Sequence, residues 1–169
     1  MADATVGGDR AAGIDEARFR LVMGHWLTGV TVITAMDGDE PVGLAANSFT
    51  SVSLDPPLVL FCAGTTSSTW PRIESAGAFA VNVLAADQEE VSRLFATKDA
   101  DRFSGVAWRR GLMGSPILDD ALAYLDCTIE STHDAGDHIL VVGRVLDLDV
   151  QREDNPLVFY RGGYASLER

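Results

Sequence analysis

Residues 125–130 (LDCTIE), the turn Ala135-Gly136-Asp137 and the stretch Ile139–Val150 (ILVVGRVLDLDV) decide the fold of this chain. In residues 125–130, apolar Leu, Cys and Ile alternate with Asp, Thr and Glu, which predicts a strand with one buried and one solvent-exposed face. Both alternating faces of Ile139–Val150 are largely apolar, so we expect the barrel interior to cover one side and a helix or a second subunit to cover the other.

Shorter strand patterns precede this pair. Val30–Met36 and Pro41–Ser48 flank the turn Asp37-Gly38-Asp39 and predict a hairpin. Leu58–Ala63 and Ala78–Leu84 are further apolar strands. Many short strands with few helices predict a mainly β fold with short flanking helices, built on a closed or nearly closed antiparallel barrel.

Helical patterns lie between these strands. The first should begin after Asp15 as its N-cap, end at Gly29 and cover an apolar surface. Its apolar residues at helical spacing are Phe19, Val22, Met23, Trp26 and Leu27. A helical turn at Pro71–Ser75 and a helix at Asp87–Ala96 follow, and the stretch Asp99–Asp120 lacks periodicity.

Length and composition limit the domain organisation. A chain of 169 residues with 47% hydrophobic and 22% charged residues suits one folded domain, which we expect over residues 14–169. Residues 1–13, rich in Ala, Asp and Gly, are expected to form a mobile leader. This leader lacks the pattern of a signal peptide, and no apolar run approaches the roughly 20 residues of a membrane helix, so we expect a cytoplasmic protein.

Charge and cysteine content exclude several function classes. A net charge of -12 and a pI near 4.4 argue against nucleic acid and anionic membranes as partners, which require a basic surface. Cys62 and Cys127 lie in apolar strand patterns and should be free thiols. The three histidines are too dispersed to predict a zinc site, and we expect no metal.

Ala45–Ser53 (AANSFTSVS) is the first candidate for ligand binding. Its small side chains allow a planar ligand to approach the backbone, and its Asn, Ser and Thr groups can hydrogen-bond a heteroaromatic rim. A Ser/Thr-rich strand edge would give the same pattern, so the segment alone leaves both interpretations open.

A second candidate is Gly64–Pro71 (GTTSSTWP), five consecutive hydroxyl residues leading into a helix. Hydroxyls and unpaired N–H groups at a helix start suit a phosphate, although ordinary N-capping needs only one of them. After the later helix, Lys98 and Arg102 could neutralise that phosphate and Phe103 could pack on a ring. Helix C-terminal cations complementing the dipole explain Lys98 well and Arg102 less well.

His138, which follows the turn Gly136-Asp137, could project into a cleft and donate to a carboxamide or phosphate, although a lone histidine is more often structural. The sequence contains no G-x-G-x-x-G, P-loop or G-x-S-x-G motif. A Rossmann dinucleotide site and a nucleophile elbow are therefore not expected.

Taken in order, six segments resemble the flavin reductase family with the FMN-binding split-barrel fold, the reductase partners of two-component flavin-dependent monooxygenases. The segments are Thr28–Thr34, Ala46–Leu58, Phe79–Leu84, Asp101–Phe103, Gly136–His138 and Tyr160–Tyr164. The resemblance covers nearly everything from Phe19 to Leu167. It implies an antiparallel split β-barrel, hydride transfer from NADH or NADPH to FMN or FAD, a monooxygenase that receives the reduced flavin, and a homodimer.

The resemblance also implies roles for individual residues. Flavin-ring and ribityl contacts fall on Asn47 and Ser48, and backbone amides of Ser51, Val52 and Ser53 face the pyrimidine edge. Ala46 and Cys62 are further residues expected to bind the flavin. Phosphate contacts fall on Ser67, Ser68, Thr69, Lys98 and Arg102, with Phe103 beside them. His138 is placed near the nicotinamide, and Tyr160, Arg161 and Tyr164 border the site. Ala45 stands where many members have Thr, so one hydroxyl contact to the flavin is missing.

Two other functions remain open from the sequence. One is a split-barrel oxidase with permanently bound FMN, similar to pyridoxamine-phosphate oxidases. The other is a non-catalytic flavin-binding module. Hydride transfer between stacked rings needs no strong acid or nucleophile from the protein, which agrees with the absence of a triad motif.

Overall fold

The computed structural model describes residues 13–98, 100–165 and 167. All of the predicted leader except Gly13 lies outside these residues, and the extent of the single domain stays a prediction. The helices are α1 (Glu16–Met23), α2 (Trp70–Ala76) and α3 (Glu89–Ala96). The strands are β1 (Thr28–Gly29), β2 (Thr31–Asp37), β3 (Glu40–Ala46), β4 (Thr50–Leu54), β5 (Pro57–Gly64), β6 (Ala78–Val83), β7 (Trp108–Arg110), β8 (Pro116–Leu118), β9 (Ala123–Ala135), β10 (His138–Val150), β11 (Val158–Tyr160) and β12 (Gly163–Ala165).

The main sheet has seven strands in the order β3-β2-β6-β9-β10-β5-β4, and every neighbouring pair is antiparallel. Smaller sheets are formed by β1-β11-β12 and by β7-β8. The predicted mainly β, antiparallel fold is confirmed. Among the described residues, no helix has the length and apolar character needed to cross a membrane.

The barrel is split between its two edge strands, β3 and β4, which the short connection Asn47–Phe49 joins. The Ser48 hydroxyl ties this connection to β5, because it accepts from the Cys62 N–H at 2.9 Å and lies 3.3 Å from the Cys62 carbonyl oxygen. Inside the barrel, Phe61, Phe79 and other apolar side chains form the main core. The connection between the two edge strands therefore lies beside a packed interior.

The hairpin of β9 and β10 follows the prediction, with Gly136 at φ 68° in the turn. Gly143 in β10 is required by packing, since a Cβ there would lie 2.4 Å from the Phe79 ring. One expectation for β9 is wrong: Asp126 is fully buried rather than solvent-exposed. The hairpin β7-β8 covers it, because the Met113 N–H in the connecting loop donates to the Asp126 carboxylate at 2.7 Å.

That hairpin lies in the stretch Asp99–Asp120, where no strand was expected. A buried polar network ties it to the main sheet. The Asn82 amide donates to the Val32 carbonyl and accepts from the Leu118 N–H at 2.7 Å, and the Thr34 hydroxyl donates to the Pro116 carbonyl. Strands this short carry too little alternation to be predicted from sequence.

The far half of β10 is open in the single chain. Leu148 and Val150 are 60% and 64% exposed, and no helix among the described residues covers them. The helix alternative for covering this strand is therefore wrong, and the second-subunit alternative stays a prediction.

Helix α1 begins as predicted, with the Asp15 carboxylate accepting from the Arg18 N–H at 2.7 Å. It ends earlier than predicted, at Met23 with Gly24 as the C-cap, whereas Gly29 lies in β1. The expectation that it covers an apolar surface is also wrong within one chain, because none of its residues is buried.

Candidate active site

A cleft runs along the outer edge of β3 as three adjoining cavities, which we call the phosphate end, the middle and the open end. The phosphate end has a volume of about 410 Å³, the middle about 220 Å³ and the open end about 1030 Å³. Ala45 lines both the phosphate end and the middle, and Asn47 lines both the middle and the open end. The three cavities therefore adjoin one another in a row.

The phosphate end brings together all five residues predicted to bind a phosphate. They come from two segments of the chain that are separated by at least 29 positions. Ser67, Ser68 and Thr69 face Lys98 and Arg102 across it. Hydroxyl donors opposite cationic side chains are the arrangement that binds a phosphate, since charge-assisted hydrogen bonds are the stronger kind.

Arg102 is held in place by three segments. Its guanidinium donates to the Gly43 carbonyl and to the Thr69 hydroxyl, both at 2.7 Å, and to the Thr97 carbonyl at 2.8 Å. These bonds join the edge strand β3, the start of α2 and the end of α3. The cation is therefore oriented before any ligand arrives, which lowers the entropic cost of binding.

Ser67 performs the capping role that was weighed against phosphate binding. Its hydroxyl oxygen accepts from the N–H groups of Thr69 and Trp70, each at 3.2 Å, whereas Thr69 makes no capping bond through its own side chain. Helix α2 has only seven residues, so its dipole adds little. The cations and the remaining hydroxyls are therefore the groups at this end that could bind an anion.

The middle of the cleft has a small-residue wall. Ala45, Ala46 and Asn47 line it, opposite Ser92 and Tyr164. The Tyr164 hydroxyl lies 2.8 Å from the Ser92 hydroxyl, and the Arg93 guanidinium lies 4.8 Å from the centre of the Tyr164 ring. Tyr164 is thus fixed as one side of a slot that admits a planar group.

Edge strand β3 also offers main-chain groups to the cleft. The Gly43 carbonyl bonds to Arg102, so it points away from β2. In an antiparallel pair the N–H and C=O of one residue point the same way, and every second residue points outward. Gly43 and Ala45 therefore present N–H donors along the cleft, and Pro41, which has no N–H, occupies the same outward series.

The open end is wide and mostly apolar. Phe19, Met23, Trp26 and Leu27 from α1 and the following segment line it together with Arg161. Arg161 has φ 52°, an unusual conformation for a residue with a side chain, and its N–H donates to the Gly24 carbonyl at 2.9 Å. Thr28, also in this wall, has a buried hydroxyl with no hydrogen-bond partner among the described residues.

Several predicted residues lie outside the cleft walls of the single chain. Ser51, Val52 and Ser53 are on edge strand β4, where a bulge places Val52 outside the ladder with β5. His138 is at the tip of the β9-β10 hairpin, opposite Gly64 in the pairing of β10 with β5. Its Nδ1 lies 2.8 Å from the Asp137 carboxylate, and this hydrogen bond lowers the pKa of Asp137.

Three other predicted residues have structural contacts. Phe103 packs edge-on against Phe95 and Trp108, so its ring contacts are within the protein. Tyr160 packs edge-on against His25 and is 37% exposed. Cys62 touches the site through its main chain, which holds Ser48.

Ser92 and Phe159 also line the middle, and Trp26 and Thr28 line the open end, although no sequence pattern assigned them to a site. Phe159 directly precedes the C-terminal motif, which is the one available signal. Ser92 lies within a helix whose only sequence signal was its apolar face. The position of Trp26 depends on where α1 ends.

A split antiparallel barrel with a cation-and-hydroxyl pocket at one end of an edge-strand cleft defines a class of flavin-binding proteins. The sequence profile of the "Flavin reductase like domain" matches residues 23–168. The chain belongs to this family.

Individual relatives agree with the family assignment. The chain is 49% identical over 169 residues to the flavin-dependent monooxygenase reductase subunit HsaB of Rhodococcus jostii strain RHA1, covering 99% of this chain and 87% of that protein. It is similar to the crystal structure of a nitrilotriacetate monooxygenase component B homologue from Mycobacterium thermoresistibile, with a TM-score of 0.89, 46% identity and coverage of 93% and 89%. It also resembles the NADH:FAD oxidoreductase SgcE6 of Streptomyces globisporus C-1027, solved with NAD and FAD fragments, with a TM-score of 0.86, 39% identity and coverage of 91% and 93%.

Proposed function

We propose that this chain is an NAD(P)H:flavin oxidoreductase that reduces FMN or FAD and supplies the reduced flavin to a partner monooxygenase. The observation that carries the proposal is the row of adjoining cavities, with a cationic phosphate end, a narrow middle with small side chains and a wide open end. This order of environments matches a flavin nucleotide followed by a second ring. The related reductase subunit HsaB supports the monooxygenase as the recipient.

The phosphate end fits the flavin phosphate. Lys98 supplies an exposed ammonium group, and Arg102 supplies a guanidinium that its hydrogen bonds hold in place. Ser68 and Thr69 add hydroxyls. These residues anchor the nucleotide and fix how far its ring reaches along the cleft.

The middle fits the isoalloxazine ring. Ala45 and Ala46 leave room for a flat ring against the edge strand, and the outward N–H of Ala45 is a donor for its polar rim. The Asn47 amide, which makes no hydrogen bond within the described residues, can donate or accept. Such fixed donors stabilise the negative charge that develops on a reduced flavin.

Bound flavin and nicotinamide supply the hydride chemistry themselves. The protein's part is to hold two rings face to face, about 3–3.5 Å apart. The open end, with its apolar wall and the Thr28 hydroxyl, has the size and polarity for the nicotinamide half of the donor. We propose that His138 also contacts the donor.

We further propose that the active form is a homodimer. Trp26 is 71% exposed, and Phe19, Val22 and Leu148 are between 58% and 63% exposed in the single chain. Exposure of so many large apolar side chains is unusual for a monomer. A second copy that covers them would close the open end, and it would bring its own polar groups towards the cleft.

We propose a cytoplasmic location, where NADH is available and where thiols such as Cys62 and Cys127 stay reduced. Fractionation of the source cells, with the chain detected by antibody, tests this. Recovery outside the cytoplasmic fraction would contradict it.

The test of the function is NADH or NADPH oxidation by the pure chain with FMN, FAD or riboflavin added. We expect NADH or NADPH oxidation only when a flavin is present. Each molecule of added flavin should support the oxidation of many molecules of NADH or NADPH. No oxidation with any flavin would contradict the proposal. A yellow protein with stoichiometric flavin that turns over without addition would instead favour an oxidase with permanently bound FMN.

A further inference from the structure

Two hydroxyl side chains from different elements form the wall of the middle that faces β3. Ser92 lies in α3 and is 1% exposed, and Tyr164 lies in β12 and is half-buried. Their oxygens are 2.8 Å apart, and this is the only hydrogen bond that either hydroxyl makes within the described residues. Both side chains line the middle. A ligand there therefore meets a linked pair of hydroxyls rather than two separate groups.

Helix α3 has a fixed position against edge strand β3. The buried Phe95 ring packs so closely on β3 that a Cβ at Gly43 would lie 2.7 Å from it. The Thr97 carbonyl, just after the helix, accepts from the Arg102 guanidinium at 2.8 Å. Ser92 is one helical turn before Phe95, so its hydroxyl is held at a set distance from the small-residue wall of β3.

The Tyr164 ring is held on two sides. Phe159, its partner in the pairing of β11 with β12, packs edge-on with the ring centroids 5.5 Å apart. The Arg93 guanidinium lies 4.8 Å from the centre of the Tyr164 ring, and Glu89 pairs with that guanidinium at 2.6 Å. The ring cannot turn away without losing these contacts. What the Ser92 hydroxyl can still decide is the direction of the phenolic hydrogen.

The direction of the bond between the two hydroxyls follows from their hydrogens. Two hydroxyls carry two hydrogens, and the bond between them uses one. If Tyr164 donated, the Ser92 hydrogen would have no acceptor among the described residues although it is buried. An unpaired buried donor is costly. Ser92 therefore donates to Tyr164, and the Tyr164 O–H is free to donate into the middle.

We propose that Ser92 is a positioning residue, which directs the Tyr164 O–H onto the polar rim of the flavin ring in the middle. Reduction places more negative charge on this rim, so a donor there binds the reduced flavin more tightly than the oxidised flavin. The bond from Ser92 also strengthens the phenolic donor, because hydrogen bonds in a chain polarise one another. The inference rests on the proposed flavin reductase function.

The test is isothermal titration calorimetry with oxidised FMN and, in the absence of oxygen, with FMN reduced by dithionite. Tyr164→Phe keeps the ring and removes the donor. It should weaken binding of reduced FMN by about tenfold and of oxidised FMN by about threefold or less. Ser92→Ala leaves the phenolic hydrogen undirected and should weaken binding of reduced FMN by about fivefold. The double variant should match Tyr164→Phe alone, since Ser92 acts only through Tyr164.

Tyr124→Phe is the matched control, because the Tyr124 hydroxyl donates to Asp147 at 3.0 Å and Tyr124 lines none of the three cavities of the cleft. It should leave the ratio of the two FMN affinities unchanged, and thermal unfolding checks that each variant folds. An equal loss of both affinities in Tyr164→Phe would overturn the inference. A ratio that Ser92→Ala leaves unchanged, or additive losses in the double variant, would also overturn it.

The inference and the proposed function fail in different ways. A chain that oxidises NADH with added flavin, but whose ratio of FMN affinities is the same in the wild type and both single variants, keeps the function and loses the role of Ser92. A chain that binds neither form of FMN loses both.

Discussion

The phosphate end and the open end of the cleft differ in how far one chain completes them. At the phosphate end, Arg102 is braced by Gly43, Thr69 and Thr97, and the Ser67 hydroxyl caps α2. At the open end, α1 has no buried residue, and its apolar side chains face solvent. The side chains of the phosphate end are thus held in place within one chain, whereas the apolar side chains of the open end are exposed to solvent.

This difference separates two tasks within one site. Anchoring a nucleotide needs fixed charges, which a single chain can supply through its own hydrogen bonds. Holding a second ring against the first needs a dry surface, and the exposed apolar side chains at the open end would form one when the proposed second subunit covers them. Substitutions at the phosphate end should therefore change flavin affinity, whereas substitutions at the open end should change the oligomeric state.

The largest effect is expected from Trp26→Glu at the open end. A twofold-symmetric interface contains each substitution twice, so burial of two charges should weaken the dimer by about a thousandfold or more. Light scattering at micromolar concentration should report twice the 18.1 kDa chain mass for the wild type and the single mass for the variant. FMN affinity should change by less than tenfold, because the phosphate end is intact.

A wild-type chain that is monomeric at this concentration would contradict the homodimer. Glu74→Gln, an exposed change on α2, is the control and should leave the mass unchanged.

The next largest effect is expected from Arg102→Met at the phosphate end. Loss of a prearranged cation should raise the dissociation constant for FMN by about a hundredfold, the value of one or two charge-assisted bonds. The affinity for riboflavin, which has no phosphate, should fall much less. The measurement is fluorescence quenching with both flavins, and thermal unfolding checks that the variant folds. An equal loss for FMN and riboflavin would mean that Arg102 does not contact the phosphate.

A smaller effect is expected from His138→Ala. If His138 contacts the hydride donor, the KM for NADH should rise several-fold more than the KM for flavin, since one neutral hydrogen bond is worth about 1 kcal/mol. His133→Ala is a matched control, because His133 is an exposed histidine on the same hairpin. Steady-state kinetics with each substrate varied in turn provide the measurement. Unchanged constants would return His138 to a structural role.

The last prediction concerns Asp126 in β9, which lines neither end of the cleft, and it concerns stability rather than binding. Burial raises the pKa of its carboxyl, the nearby Asp147 raises it further, and the Met113 N–H opposes the shift. Between the ordinary pKa and this raised pKa the folded state binds more protons than the unfolded chain. The free energy of unfolding therefore falls as pH rises through that window, by up to about 1.4 kcal/mol per unit.

Asp126→Asn removes this dependence, so the variant should gain stability relative to the wild type as pH rises from about 4 to 7. Urea unfolding across that range measures the difference, and FMN affinity should not change. Parallel stability curves for the two chains would show that Asp126 stays ionised in the folded state.

Much of the fold could be predicted from sequence because period-2 alternation and turn residues are local signals. The hairpin at Asp37-Gly38-Asp39 and the pairing that follows Gly136 needed no other information. The burial of Asp126 could not be predicted in this way. It depends on the short hairpin β7-β8, which is held by the distant residues Asn82 and Thr34.

The candidate site shows the same division. The chemistry of the residue types was enough to group Ser67–Thr69 with Lys98 and Arg102, since hydroxyls and cations are both phosphate ligands. The capping role of Ser67 and the bracing of Arg102 depend on packing between α2, α3 and β3. In the single chain His138 lies at the tip of the β9-β10 hairpin, outside the cleft walls, and local sequence signals do not show what it contacts.

A crystal structure of the chain with bound FMN is the most direct test of the site. We predict that the phosphate lies within hydrogen-bond distance of Lys98 and Arg102, and that the isoalloxazine ring lies against Ala46 and Asn47. An FMN phosphate bound elsewhere, or a ring directed away from the middle of the cleft, would contradict the account.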